Sequence, residues 1–242
     1  MKSKFFPVIK FYPILDSTNV FAKKLLKQKS KKNFVIVARE QKDGKGRLGR
    51  KWASSKGGLW FTMVLAGKQY QSNVTLLTSI ALHKTIKSIF SSAPLFIKWP
   101  NDLFWKDKKI AGILTSSSQN STIIGVGLNV NQKQMPKELE KIATTLYMET
   151  SKKIKLKKIL KHFLQIFAND LKLYKKNGFE HFQNYYNDYN YLFGKKIKVE
   201  LGNEELRGEV TGVSPKGELL VNVLGKVKKI ISAEKIDIIS PH

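Results

Sequence analysis

Two short continuous apolar runs constrain this chain most: FVIVA at residues 34–38 and LWFTMVL at residues 59–65. Runs of this length without polar alternation read as strands buried on both faces. Such strands need helices to cover them. Leu82, Ile86, Ile89 and Phe90 recur at helical spacing, which predicts a helix over 76–90. Residues 16–19 offer an N-cap to a helix over 20–27. The clearest helix begins at Leu156, carries apolar residues on one stripe through Phe163, Phe167 and Tyr174, and ends at Gly178. Shorter strands are expected over 95–99, 102–105, 110–115 and 122–130, with a polar turn over 116–121. After Gly194 the texture changes to short alternating strands with turns at Gly202-Asn203 and Ser214–Gly217, the pattern of a small barrel. The expected organisation is α+β, with a main domain over 1–193 and a small β-barrel domain over 194–242.

The segment between the two runs holds Gly44-Lys45-Gly46-Arg47-Leu48-Gly49-Arg50-Lys51-Trp52. It fits G-x-G-x-x-G literally. A dinucleotide site also needs a helix opening at the last glycine and an acid about 20 residues later. No Asp or Glu occurs between Gly44 and Asn101, so that reading fails. A phosphate-binding P-loop fails as well, because Arg50-Lys51 stands where Lys-Ser/Thr is required. A kinase glycine loop would need catalytic triplets that the chain lacks. What remains is three glycines, four cations and a tryptophan. Glycines let backbone N–H groups approach an anion, and the cations neutralise it. The bland alternative is a solvated surface turn.

Three further segments carry chemistry. In Lys98-Trp99-Pro100-Asn101-Asp102, the first acid after a long basic stretch follows a strand end. A carboxylate there suits Mg²⁺ bound to nucleotide phosphates, although an Asx turn gives the same pattern. In Lys108-Lys109-Ile110-Ala111-Gly112, a lysine sits at the mouth of an apolar strand. It can stabilise charge at a phosphate, or simply form a basic hairpin tip. Gly125 and Gly127, two residues apart on a strand, leave one face bare for a ligand or another strand.

Composition narrows the field without choosing within it. The chain is 42% hydrophobic and 11% aromatic, enough for a substantial core. Its formal net charge of +26 attracts polyanions such as nucleic acid, anionic membrane, nucleotide phosphates or an acidic partner, and a solvated basic surface accounts for much of it. Cysteine is absent, which removes thiol catalysis and Cys-based zinc sites. The four histidines (83, 162, 181 and 242) have no metal-ligand spacing. The basic N-terminus is broken by Pro7, Lys10 and Pro13 and lacks a cleavage site. No segment approaches 20 apolar residues, so a cytoplasmic protein without membrane attachment is expected.

These segments, in this order, resemble the catalytic region of biotin–protein ligases. The matching stretches are Asp16-Ser17-Thr18-Asn19, Gln41 through Trp52, Lys98 through Asp102, Lys109 through Leu114, and Ile124 through Asn129. The resemblance implies a central mixed or antiparallel sheet packed with helices, of the class II synthetase-like biotin/lipoate ligase type, plus a C-terminal SH3-like β-barrel. It implies biotin contacts from Ser17, Thr18, Asn19, Gln41, Gly44, Lys45, Gly46, Arg47, Lys109 and Gly112. Nucleotide contacts would come from Arg47, Arg50, Lys51, Trp52, Asn101 and Asn129. Arg47, Lys98, Asp102 and Lys109 would carry catalysis, with Asp102 on Mg²⁺. The family motif usually has Arg where this chain has Lys45, which keeps the charge and loses the bidentate fork.

The implied reaction consumes ATP and biotin and transfers biotin to a lysine of a biotin carboxyl carrier protein, such as an acetyl-CoA carboxylase subunit. A homodimer is compatible with it. Some ligases of this kind carry an N-terminal helix-turn-helix domain and repress transcription. Here the Ser-Thr-Asn motif starts at residue 17, so a ligase without specific DNA binding is expected. Lipoate–protein ligases share the fold and form one alternative. A basic nucleic-acid-binding module is another.

Overall fold

The computed structural model describes residues 5–27, 32–67, 70, 73–202 and 204–239. Asn203 of the predicted turn and His242 lie outside the described residues. Seven strands form the main sheet: β1 (Val8–Leu15), β2 (Phe34–Gln41), β3 (Leu59–Leu65), β4 (Leu95–Lys98), β5 (Asp102–Trp105), β6 (Lys108–Ser118) and β7 (Ser121–Leu128). Their order is β1-β2-β3-β7-β6-β5-β4. β1 and β2 run parallel, and every other pair is antiparallel.

Both anchoring runs are central. All seven residues of β3 are buried, and so are the first five of β2. Alternation divides their side chains between two faces. Phe34, Ile36, Val64 and Ile123 pack on α1 (Thr18–Lys27), around Ala22 and Leu26. Val35, Phe61, Met63 and Ile124 point the other way, into the main core with α2 (Asn73–Lys87) and α4 (Leu156–Asn177). A short helix, α3 (Leu146–Thr150), precedes α4. The apolar stripe of α4 is buried through Phe163 and Phe167 up to Leu171. The helix stops at Gly178, whose φ of 71° suits glycine and whose N–H donates to Tyr174 O.

Two local expectations change, and one strand of the main sheet carried no expectation. Residues 8–15 form that edge strand: Pro13 is tolerated there because an edge position needs no inward N–H. The polar 116–121 segment is mostly strand. β6 and β7 stay paired to Ser118 and Ser121, and Gln119 and Asn120 make the turn with positive φ. The helix expected over 76–90 begins and ends three residues earlier.

The chain then passes through α5 (Glu180–Asp188) into a five-stranded antiparallel sheet, ordered β11-β10-β9-β8-β12. It comprises β8 (Lys196–Leu201), β9 (Glu204–Val213), β10 (Leu219–Val223), β11 (Lys226–Ile230) and β12 (Lys235–Ile238). β12 carried no strand expectation. The inward residues Ile197, Val199, Val210 and Val221 join the same core as the main sheet. Polar ties reinforce this packing: buried Trp99 donates its Nε1–H to Gly217 O at 3.0 Å, and Gln183 Nε2 donates to Val213 O at 2.8 Å.

Candidate active site

Sheet register gathers what the sequence scatters. Tyr12, Ala38, Trp60, Gly127, Gly112, Asp102 and Lys98 are successive ladder partners across all seven strands. Directly paired residues share a face, so the row places Gly127, Gly112, Asp102 and Lys98 side by side. This is the face that α1 leaves open beyond Ile123.

Lys109 reaches the same face through an irregularity. Ladder pairing shifts between Leu103 and Phe104, and Ile110 and Ala111 both go into the core. Strict alternation from Gly112 would put Lys109 on the far side. The bulge re-aims it. Its Nζ lies 2.7 Å from Asp102 Oδ2 and 5.1 Å from the Trp52 ring centroid.

The bare face expected at the glycines is real, and two side chains occupy it. Trp52 lies over Gly112 and Gly127: a Cβ on Gly112 would come 2.9 Å from the indole, and one on Gly127 would overlap Nε1. Asn19 fills the space over Gly125. Beyond Asn19 comes a buried polar end. Thr18 N and Oγ1 donate to Gln41 Oε1 at 2.8 and 2.9 Å, and Gln41 Nε2 donates to Ser54 Oγ at 2.8 Å. Thr62 Oγ1 lies 2.8 Å from Thr18 Oγ1. Ser17 is buried beside them. Ser54 and Thr62 carried no sequence expectation.

The glycine-rich loop folds as a tight hairpin. Lys45 and Lys51 face each other in an isolated bridge, Gly46 N–H donates to Arg50 O at 2.7 Å, and Trp52 N–H donates to Gly44 O at 2.8 Å. A single turn over Arg47–Gly49 closes it, with Leu48 at φ 53°. Arg47 turns inward. Its Nη1 donates to Asn101 Oδ1 at 3.2 Å and its Nη2 to Ala233 O at 2.6 Å, tying the loop to the C-terminal sheet. Burial lowers the Arg47 pKa against the raising influence of Asp102, and Arg50 lowers it further. Burial likewise lowers the Lys98 pKa. Asp102 opposes this, Lys109 adds to it, and Asp237 and Lys195 act more weakly in opposite senses. Cations held here would be stabilised by a bound anion.

These groups surround one cavity of about 460 Å³. Every site residue expected from the sequence lines it except Gly44. Gly44 is buried under the loop, where a Cβ would overlap Trp52 O and crowd Ser54 Oγ. Asn129 lines the cavity while its amide donates to Thr144 O at 3.0 Å, bracing the 129–146 loop. Two walls were not expected. Met135, Leu139 and Ile142 close one side, and residues 233–237 close another. No glycine or charge motif marks either stretch. Asp102 Oδ1 and Trp52 Nε1 are buried without a hydrogen-bond partner. Among the described residues no group of three or more His, Cys, Asp or Glu could hold a metal.

Residues 11–132 match the biotin/lipoate A/B protein ligase family, and residues 192–234 match the biotin protein ligase C-terminal domain. The bifunctional ligase/repressor BirA of Bacillus subtilis is 31% identical over 235 residues, covering 93% of this chain and 72% of the relative. The biotin–[acetyl-CoA-carboxylase] ligase of Paracoccus denitrificans is 29% identical over 218 residues, 85% of this chain and 90% of that one. A solved biotin protein ligase from Aquifex aeolicus, in complex with biotin and ATP, superposes with a TM-score of 0.89 at 31% identity, covering 96% of this chain and 100% of that one. On the family match, the identity and the superposition together, the chain belongs to the biotin/lipoate A/B protein ligase family.

Proposed function

We propose that this chain activates biotin with ATP as biotinyl-5′-adenylate and transfers it to a lysine of a biotin carboxyl carrier protein. The observation that carries the proposal is the cavity itself: a glycine slot under Trp52 with a buried polar end at one side and converging cations at the other. The ureido ring of biotin, with donors and acceptors on both sides, suits Thr18, Gln41 and their neighbours. Its apolar chain suits the Trp52 indole that lies over the glycines. The biotin carboxylate then lies toward Lys109 and the loop cations.

A carboxylate is a poor electrophile. Its attack on the α-phosphate of ATP forms the C–O–P link and releases pyrophosphate, and charge accumulates on the phosphate oxygens. Arg47, Lys98 and Lys109 offset that charge in a partly desolvated site. Mg²⁺ enters as part of the nucleotide substrate. Asp102, with one oxygen on Lys109 and one without a partner, fits a single-carboxylate contact to a phosphate-borne ion. Arg50, Lys51, Asn101 and Asn129 fall to the nucleotide side. The loop, closed over the adenylate, keeps water from the anhydride. The carrier amine attacks next and AMP leaves. No protein nucleophile is needed, in keeping with the absence of cysteine.

Within this reading, residues 1–193 form the catalytic domain and residues 194–242 a small domain that completes the cavity wall. Electrostatic steering of an acidic carrier by the net charge of +26 would be weakened by salt. Among the described residues no helix is long and apolar enough to cross a membrane. A cytoplasmic location and a homodimer belong to the same proposal. The deciding experiment is isotopic pyrophosphate exchange into ATP, run with biotin and with lipoate. Exchange with biotin is expected. Exchange with lipoate alone would replace the assignment by lipoate–protein ligase, and salt-sensitive DNA binding without either exchange would point to a nucleic-acid module.

A further inference from the structure

Transfer must admit a cationic lysine, which adenylation need not. A lysine side chain has an unperturbed pKa near 10.4, so at neutral pH only about one amine in 10³ is neutral and nucleophilic. The cavity makes entry of the ammonium form worse, because Arg47, Lys98 and Lys109 line it and would repel a second cation. A carboxylate on the cavity lining that is not already engaged would attract the ammonium to the mouth.

Three carboxylates line the cavity: Asp102, Glu234 and Asp237. Asp102 is paired with Lys109 at 2.7 Å, and Asp237 with Lys235 at 2.6 Å. Glu234 forms no ion pair among the described residues, and it is exposed, so it meets both the cavity and solvent. Its backbone is fixed. Glu234 N–H donates to Glu200 O at 3.0 Å, which begins the β8–β12 ladder, and the neighbouring Ala233 carbonyl holds Arg47. The charged groups of this stretch are Arg47, held by the Ala233 carbonyl, Lys235 at the start of β12 with Asp237, Glu200 and Arg50 acting on it, and Lys198 beside Glu200 on β8.

We propose that Glu234 is the carboxylate that receives the carrier lysine at the cavity mouth, pairing with its ammonium, from which the amine enters once its proton is lost to solvent. The inference rests on the ligase reading above. An N–H proton of the ammonium passes to solvent, a loss that the cavity cations favour, leaving a neutral amine. The amine lone pair forms the C–N bond at the biotinyl carbonyl of the adenylate. The acyl C–O bond of the anhydride breaks, AMP departs with that electron pair and oxygen, and the second amine proton is released to solvent. The C-terminal sheet thereby contributes a group to the second half-reaction.

The test uses the full chain and its variants Glu234→Gln and Glu234→Asp. Single-turnover transfer from enzyme-bound biotinyl-adenylate is followed to an unmodified biotin carboxyl carrier domain and, separately, to hydroxylamine, which is already neutral at pH 7. Pyrophosphate exchange with biotin is measured in parallel. Glu234→Gln should slow carrier transfer on the order of 10-fold, far more than it slows exchange. The deficit should shrink as pH rises toward the lysine pKa. Hydroxylamine should react at close to the wild-type rate, and Glu234→Asp should recover part of the carrier rate. Equal losses in exchange, carrier transfer and hydroxylamine transfer, or a carrier deficit independent of pH, would overturn the proposal and leave Glu234 a brace for the loop. Absence of biotin-dependent exchange in the wild-type chain would instead defeat the ligase reading itself.

Discussion

The floor of the cavity and its C-terminal wall are built from different material. The floor is made of side chains, or of their deliberate absence: Gly112 and Gly127 under Trp52, and the Asp102–Lys109 pair on the adjoining strands. The wall contributes the Ala233 carbonyl, which fixes Arg47, and an exposed glutamate beside it. A floor of this kind tolerates almost no substitution, because a Cβ has nowhere to go. A wall that acts through backbone tolerates many residues, provided the sheet that carries it stays docked.

That contrast can be broken at four points. The largest effect is expected for Gly127→Val, whose side chain would displace Trp52 from the slot. Biotin-dependent pyrophosphate exchange should become undetectable while the thermal melt stays cooperative. Activity near wild type would mean the slot is not the biotin site. Next, Lys109→Ala removes the cation that the bulge delivers to the floor, and exchange should fall on the order of 10²-fold. A change smaller than threefold would remove Lys109 from the catalytic set.

The docking side is tested through stability. His83 is buried between Leu95 O and Tyr185, at the junction from which α5 leads to the C-terminal sheet. Burial lowers its pKa from 6.5 to about 4, the Leu95 carbonyl opposing and Lys87 and Lys84 adding to the fall. Between those pH values the unfolded chain binds more protons than the folded one. The contribution is therefore complete above about pH 6.5 and is lost as pH falls to 4, roughly 3 kcal/mol in all. Denaturant melts across that window should show the slope, and His83→Gln should flatten it. The smallest effect is expected for Trp99→Phe, which leaves Gly217 O without its donor and should cost about 2 kcal/mol. If Trp99→Phe lowered exchange more than stability, the docking contact would be tuning the site directly.

Much of the main sheet was legible because burial on both faces leaves uninterrupted apolar runs, as in β2 and β3. β1 was not. Its sequence mixes Lys10 and Pro13 into an edge position where only one side needs to pair, so it has no such signature. Ser116, Ser117 and Ser118 looked like a turn because a hairpin near its tip can stay strand without apolar content. The cavity residues were legible as motifs, yet their adjacency was not. Only register shows that Gly127, Gly112, Asp102 and Lys98 stand in one row.

The sequence by itself determined where side chains must be missing, where cations gather, and which runs must be buried. Those properties belong to single residues and their near neighbours. Tertiary structure alone decided that Trp52 fills the glycine slot, that a bulge turns Lys109 toward Asp102, and that Ala233 O and Glu234 complete the site from far along the chain beyond Asp102. A carbonyl oxygen is the same on every residue, and an exposed glutamate resembles any other. Their roles arise only from what the fold places opposite them.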